Sequence, residues 1–161
     1  MIRLPRPGDE VEICRIYNHY VATTIVTFDT EPASEAMMAA AMTANPARLP
    51  WLVCEQEGRV VGYAGASEWK SRCAYRFSVE STIYLDPGCG GRGIGTRLYG
   101  DLLGRLRAAG HHSVLGGIAL PNPASVALHE KLGFEKVGQL KEVGRKFDRW
   151  IDVGYWELIF D

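Results

Sequence analysis

DPGCGGRGIGTRLYGDLL, from Asp86 to Leu103, decides the fold. Five glycines lie between Gly88 and Gly95, straight after an apolar run and straight before a helical pattern. Gly88-Cys89-Gly90-Gly91-Arg92-Gly93 satisfies G-x-G-x-x-G literally, the fingerprint of a dinucleotide site. The context excludes that reading. The next strand ends in IALPNP, without the Asp or Glu that binds a ribose hydroxyl, and too little chain follows for the rest of such a domain. A Walker A loop needs Gly-Lys-Ser/Thr, and this loop has no lysine. The reading left is a pyrophosphate cradle. Gly91, Arg92, Gly93, Ile94, Gly95 and Thr96 present successive N–H groups at a helix N-terminus, where the helix dipole also favours anions. Arg92 adds a positive charge. Coenzyme A carries a pyrophosphate that suits such a seat. The alternative is a tight strand-to-helix turn with no ligand.

Downstream, Ile94, Leu98, Leu102 and Leu106 lie four apart with Tyr99 and Leu103 beside them, which predicts an amphipathic helix that Gly110 stops. Upstream, SVESTIYLDP (Ser78–Pro87) reads as a strand. Before it, Trp51–Glu55 turns at Glu57-Gly58 into Val60–Trp69, a hairpin. Near the N-terminus, IRL is a short strand, and Asp9 is placed to cap a helix whose apolar face is Ile13, Ile16, Tyr17, Tyr20 and Val21. TIVTFDT (Thr24–Thr30) is β-branched and extended. SEAMMAAAMTA reads as a surface helix with a methionine-rich buried side, ended by Asn45-Pro46. Beyond the long helix, HSVLGGIAL is a strand and PNPAS opens a helix that Gly133 ends. FEKVGQLKEV (Phe134–Val143) and WIDVGYWELIF (Trp150–Phe160) are the last strands. With no repeat and no linker, the pattern predicts one α+β domain over residues 1–161, built around a mixed sheet.

Composition narrows the function classes. Hydrophobic residues make up 47% of the 161 and charged residues 23%, enough for a packed core. A net charge of −1 argues against a general nucleic-acid binder. No stretch approaches a bilayer span, and MIRLPRPGDE lacks the apolar core of a signal peptide. Cys14, Cys54, Cys73 and Cys89 form no C-x-x-C pair and have no His at zinc-ligand spacing. They read as reduced thiols in a cytoplasmic protein without a metal.

Seven stretches resemble the GCN5-related N-acetyltransferase (GNAT) superfamily, and more narrowly its phosphinothricin and methionine sulfoximine N-acetyltransferase branch. They are NHYVATTIVTFDTEP, PWLVCE, GYAGASEWKSRCAY, VESTIYLDP, GRGIGTRLY, LPNPASVALHEKLGF and DVGYWEL, in family order over nearly the whole chain. The resemblance implies the acyl-CoA N-acyltransferase fold, a mixed central sheet flanked by helices. It implies direct transfer of acetyl from acetyl-CoA to an α-amine in a ternary complex, and a homodimer. Glu80 matches the glutamate that takes the proton of the attacking amine. Ile83, Tyr84 and Leu85 match a strand that splays from its neighbour and offers main-chain groups to pantetheine and to the thioester carbonyl. Asn122 and Ser125 match a cofactor-contacting pair, though Asn122 also suits a helix N-cap. His129 stands where many members have a tyrosine that protonates the departing thiolate, with Tyr99 as the alternative donor.

On the acceptor side, the resemblance points to Phe28 and to Lys70, Arg72 and Tyr75 in WKSRCAY. Arg72 is suited to grip a carboxylate or phosphinate with paired hydrogen bonds, while Lys70 adds a point charge and Tyr75 a hydroxyl. The implied acceptor is a small anionic or zwitterionic amino acid of the phosphinothricin, methionine sulfoximine or methionine sulfone type. At Gly90 the chain lacks the Gln or Arg that the superfamily often carries, so a side-chain anchor for the cofactor is lost. Three other readings stand beside this one: acetylation of protein N-termini or other amines, a CoA-binding regulatory module, and a cysteine-based ping-pong acyltransferase. The last lacks a His–carboxylate partnership for any cysteine.

Overall fold

The computed structural model describes residues 1–161. In chain order the elements are β1 (Ile2–Arg3), α1 (Asp9–Thr23), α2 (Glu35–Thr43), β2 (Trp51–Gln56), β3 (Arg59–Glu68), a 3-10 turn (Cys73–Tyr75), β4 (Ser78–Leu85), α3 (Ile94–Ala108), β5 (Ser113–Ala119), α4 (Pro123–Lys131), β6 (Glu135–Lys146) and β7 (Arg149–Ile159). The strands form one sheet in the order β1-β2-β3-β4-β5-β7-β6. Only β4 and β5 run parallel, because α3 carries the chain from the end of one to the start of the other. The sheet is therefore mixed, as the sequence predicts.

Strand alternation sends side chains to two different layers. Leu52, Cys54, Ala64, Ala66 and Val79 join Ile94, Leu98, Tyr99, Leu102 and Leu106 of α3 in the larger core. Val53, Val60 and Tyr63 join Ile13 and Ile16 of α1 and Met38 and Met42 of α2 in a smaller core on the opposite face. The four-residue spacing in α3 is the reason that helix lies flat on the sheet, with Leu98, Leu102 and Leu106 fully buried. Each such leucine contributes roughly 2 kcal/mol by leaving water.

Three local expectations change. Asp9 does not cap α1. Gly8 holds the cap position with φ 101°, and Asp9 is the first helical residue. Its carboxylate instead accepts from the Arg6 N–H at 2.7 Å and pairs with Arg3 at 2.7 Å. The Thr24–Thr30 segment joins no sheet. It is held by side chains, with the Thr27 hydroxyl 2.7 Å from that of Tyr17 and the Thr27 carbonyl accepting from Lys146 at 2.8 Å. The last hairpin is longer than its turn signals suggest. β6 runs to Lys146 and reverses at Phe147-Asp148, both non-glycine residues with positive φ (50° and 56°). All four cysteines are free thiols.

Candidate active site

The site begins where two strands part. β4 and β5 pair at Ser78–Ser113, Val79–Val114 and Glu80–Leu115, and no further. Beyond that point β4 stays with β3 to Leu85, and β5 stays with β7 to Ala119. A wedge opens between them, with Glu80 and Ser81 at its vertex. The Asp86 N–H donates to the Val61 carbonyl at 2.8 Å, which fixes the phase of the β3–β4 ladder. In an antiparallel pair alternate residues face the partner strand, so Glu80, Thr82 and Tyr84 spend their main-chain groups on β3. Ile83 and Leu85 turn theirs into the wedge, while Ser81 gives its N–H to the last β4–β5 rung at Leu115. Of the three strand residues expected to offer main chain to a cofactor, Ile83 and Leu85 do so and Tyr84 does not. The Leu85 carbonyl is already taken by the Tyr20 hydroxyl at 2.7 Å, leaving its N–H free.

A cavity of about 580 Å³ enters this wedge from the α3/α4 side. It is lined by β4 from Ser81 to Leu85, the glycine loop, Gly117–Ala119 and α4. Gly91, Gly93, Gly95 and Thr96 all face it. Gly93 caps α3 at φ 72°; its carbonyl accepts the Arg97 N–H at 3.2 Å, and the N–H groups of the first turn have no intrahelical partner. Ile94 contributes only its backbone, since its side chain is 1% exposed in the core. The Arg92 side chain is exposed outside the lining. Arg15 fixes the start of the loop by pairing with Asp86 and, at 2.9 Å, with Glu12. Asn122 and Ser125 line the same cavity, and Asn122 also caps α4, accepting the Ser125 N–H at 3.1 Å.

A second cavity, of about 420 Å³, reaches the vertex from the opposite face. Phe28, Glu80, Thr82, Gly117, Leu140, Val143, Val153 and Tyr155 are among its walls, and Ser81, Thr82, Tyr84, Gly117 and Ala119 border both cavities. Glu80 is half-buried. Loss of water pushes its carboxyl above the usual carboxylate range, and the Lys70 charge pulls it partly back. Lys70, Arg72 and Tyr75 line a third cavity of about 240 Å³, with Arg48, Arg76 and His111. The acceptor residues expected from the sequence are therefore divided. Phe28 stands with Glu80, while the Lys70–Tyr75 loop lies beside them.

His129 is buried on the α4 side of the wedge, 4% exposed. Its Nδ1 lies 2.7 Å from the Ser125 carbonyl, an acceptor only, so Nδ1 carries hydrogen. Its Nε2 lies 3.1 Å from the Tyr99 hydroxyl, which lies 2.6 Å from Ser81 Oγ. Burial lowers the imidazole's affinity for a second proton, opposed by the Ser125 carbonyl. Gly116 makes room for the ring, because a Cβ there would sit 2.5 Å from Nε2. Ser81 escaped the sequence reading, although it is the neighbour of Glu80 in VEST. Its only signal is parity: adjacent strand residues point to opposite faces, so a residue next to a base on one face stands at the same vertex on the other.

Residues 13–134 match the model of the acetyltransferase (GNAT) family. The chain is 42% identical over 160 residues to a phosphinothricin N-acetyltransferase of Streptomyces viridochromogenes, covering 99% of this chain and 87% of that protein. It is 35% identical to an L-methionine sulfoximine/L-methionine sulfone acetyltransferase of Salmonella typhimurium, covering 99% and 94%. Among solved structures, a GNAT superfamily phosphinothricin acetyltransferase of Sinorhizobium meliloti in complex with acetyl-CoA superposes with a TM-score of 0.93. That match is at 39% identity and covers 99% of this chain and 87% of that one. No three His, Cys, Asp or Glu side chains group as a metal site.

Proposed function

The chain belongs to the acetyltransferase (GNAT) family and is an acetyl-CoA-dependent N-acetyltransferase; from that premise we propose that its acceptor is the α-amine of a small amino acid of the phosphinothricin, methionine sulfoximine or methionine sulfone type. The observation that carries the reading is the meeting of two cavities at Ser81, Thr82 and Gly117, beside Glu80. Acetyl-CoA enters on the glycine-loop side, with its pyrophosphate on the N–H groups of Gly91 to Thr96 and its pantetheine arm along Ile83 and Leu85. The thioester reaches the vertex, where a wedge-facing N–H polarises its carbonyl as charge develops on oxygen. The acceptor enters from the other face, between Phe28 and Tyr155. Glu80 takes the amine proton as the N–C bond forms, and its raised pKa makes it a stronger base than an ordinary carboxylate. The Lys70–Arg72 loop supplies positive charge beside an acceptor that carries an anionic group.

The relatives' acceptors support this size class, as does a 420 Å³ cavity, which is within the range of small-molecule sites. The protein also acts as a homodimer in this reading. β6 is the outermost strand, and Val137, Leu140, Val143, Phe147 and Trp150 of its hairpin are all about half exposed or more. An apolar edge of that kind is a surface for a second copy. The test is acetyl-CoA-dependent thiol release over a panel of free amino acids that includes the three named compounds, with N-terminal peptides as competitors. Turnover of one of the three above the peptides is the expected result. Peptide turnover without amino-acid turnover overturns the acceptor assignment.

A further inference from the structure

Ser81, Tyr99 and His129 form a continuous hydrogen-bonded chain. His129 Nδ1 meets the Ser125 carbonyl at 2.7 Å, with the Ser125 hydroxyl at 3.4 Å; Nε2 meets Tyr99 at 3.1 Å, Tyr99 meets Ser81 Oγ at 2.6 Å, and Ser81 Oγ lies 3.2 Å from the Leu115 carbonyl. With a neutral imidazole Nδ1 donates to the Ser125 carbonyl, Tyr99 donates to Nε2, and Ser81 donates to Tyr99. With a proton on Nε2 the bonds turn round: His129 donates to Tyr99, Tyr99 to Ser81, and Ser81 has the Leu115 carbonyl to donate to. The same contacts serve the chain in either protonation state. Its interior is closed: Tyr99 is fully buried, and its ring packs edge-on against His129 (centroids 5.1 Å apart) and at a tilt against Phe134 (5.5 Å). Its open end is Ser81, which borders both cavities at the vertex.

We propose that Ser81 is a catalytic residue, the terminal hydroxyl of a relay from His129 through Tyr99 that protonates the departing thiolate. This rests on acetyl transfer being the reaction. As the C–S bond breaks, its electron pair stays on sulfur. The Ser81 hydrogen moves to sulfur, the Tyr99 hydrogen to Ser81, and the Nε2 hydrogen to Tyr99, leaving His129 neutral. Glu80 receives the amine proton on the other face and returns it to solvent, while His129 regains one from solvent, so the cycle balances. Tyr99 and His129 are positioning residues in this scheme and touch no reacting atom. The burial that lowers the proton affinity of His129 makes the imidazolium a ready donor once it forms.

The test uses the whole chain with acetyl-CoA and with phosphinothricin or methionine sulfoximine, whichever the wild type acetylates faster. Ser81→Ala is expected to lower kcat by at least about 100-fold, the lower end of an acid-base contribution, while the KM for acetyl-CoA stays within about twofold. Tyr99→Phe, which keeps the ring, is expected to match it, and the double variant to fall no further, because groups acting as one unit are not additive. A smaller loss in Ser81→Ala, or losses that multiply, overturns the relay. Should Ser81→Ala fail to fold, a proton inventory of wild-type kcat in mixed light and heavy water decides. A bowed curve, from several protons in flight, supports the relay and a linear one overturns it. Wild type that releases no thiol with either acceptor overturns the acceptor reading itself, an outcome separate from any difference between variants.

Discussion

On the α3/α4 side of the sheet the cavity runs along the β4 main chain and the glycine loop, with Asn122, Ser125 and His129 of the α4 segment as polar side chains. On the α1 side the site is made of side chains drawn from separated segments: Val26–Phe28, Glu80, Leu140 and Val143 of β6, and Val153 and Tyr155 of β7. The difference follows from what each side has to hold. A pyrophosphate and a string of amides can be held by N–H and C=O groups that any sequence supplies, provided the loop takes the right path. An acceptor has to be told from its relatives, which needs particular side chains at particular distances. One consequence is independence. Changes on the α1 side should alter the choice of amine without disturbing acetyl-CoA, and changes in the loop should do the reverse.

The strongest attack on that division is at the vertex, where the two sides meet. Glu80→Gln should lower kcat at pH 7 by about 100- to 1000-fold, within the usual span for a general base. Acetyl-CoA affinity, measured by calorimetry, should stay within about twofold, since no cofactor group depends on that carboxylate. In wild type the rate should fall as pH drops through the raised pKa of Glu80, because only the carboxylate accepts a proton. That acid limb therefore lies above the ordinary carboxylate range. In Glu80→Gln the limb disappears, and the deficit narrows at high pH as solvent deprotonates the amine. A full-rate variant at pH 7 would remove Glu80 as the base.

Gly93→Val probes the loop alone. Open space surrounds the position of the missing Cβ, so the cost comes from backbone strain at φ 72° and not from a clash. About 1–2 kcal/mol of such strain corresponds to roughly a tenfold weaker acetyl-CoA complex if the loop relaxes out of its binding path. The KM for the amine and kcat at saturating acetyl-CoA should change by less than about threefold. A loss confined to the amine side would break the division outright.

The same contrast governs what could be read in advance. The loop, the α3 stripe from Ile94 to Leu106, and the cap at Asn122 are each contained within one continuous segment of chain, and all three are visible as spacing. The wedge is not, because it arises from where β4 stops pairing with β5, a relation between segments separated by the whole of α3. Tyr84 follows the same rule: its main chain faces β3 for reasons of ladder phase that no local pattern reveals. The Ser81–Tyr99–His129 chain joins three elements; the resemblance marks His129 and Tyr99, while Ser81 alone looks like ordinary strand core. The Phe147-Asp148 turn was hidden for a different reason. Both residues adopt positive φ without the glycine that normally announces it, so the hairpin looked shorter than it is.

The smallest expected effect tests whether charge on the α1 side acts by contact or by field. Lys70 lies 5.0 Å above the Trp69 ring, and Trp69 meets Tyr155 edge-on at 5.6 Å. Tyr155 borders the same cavity as Glu80. Stacking therefore holds the ammonium at a set distance from the carboxylate, whose pKa it lowers. Lys70→Met keeps most of the stem and removes the charge. Glu80 should then hold its proton to higher pH, moving the acid limb of kcat/KM upward, with the size limited by the solvent screening of an exposed charge. About 1 M salt should move the wild-type limb the same way and leave the variant nearly unmoved, since screening has nothing left to remove. If the amine KM instead rises about tenfold or more with no shift in the limb, Lys70 grips the acceptor directly, and the acceptor's anionic group lies on the Lys70–Tyr75 loop.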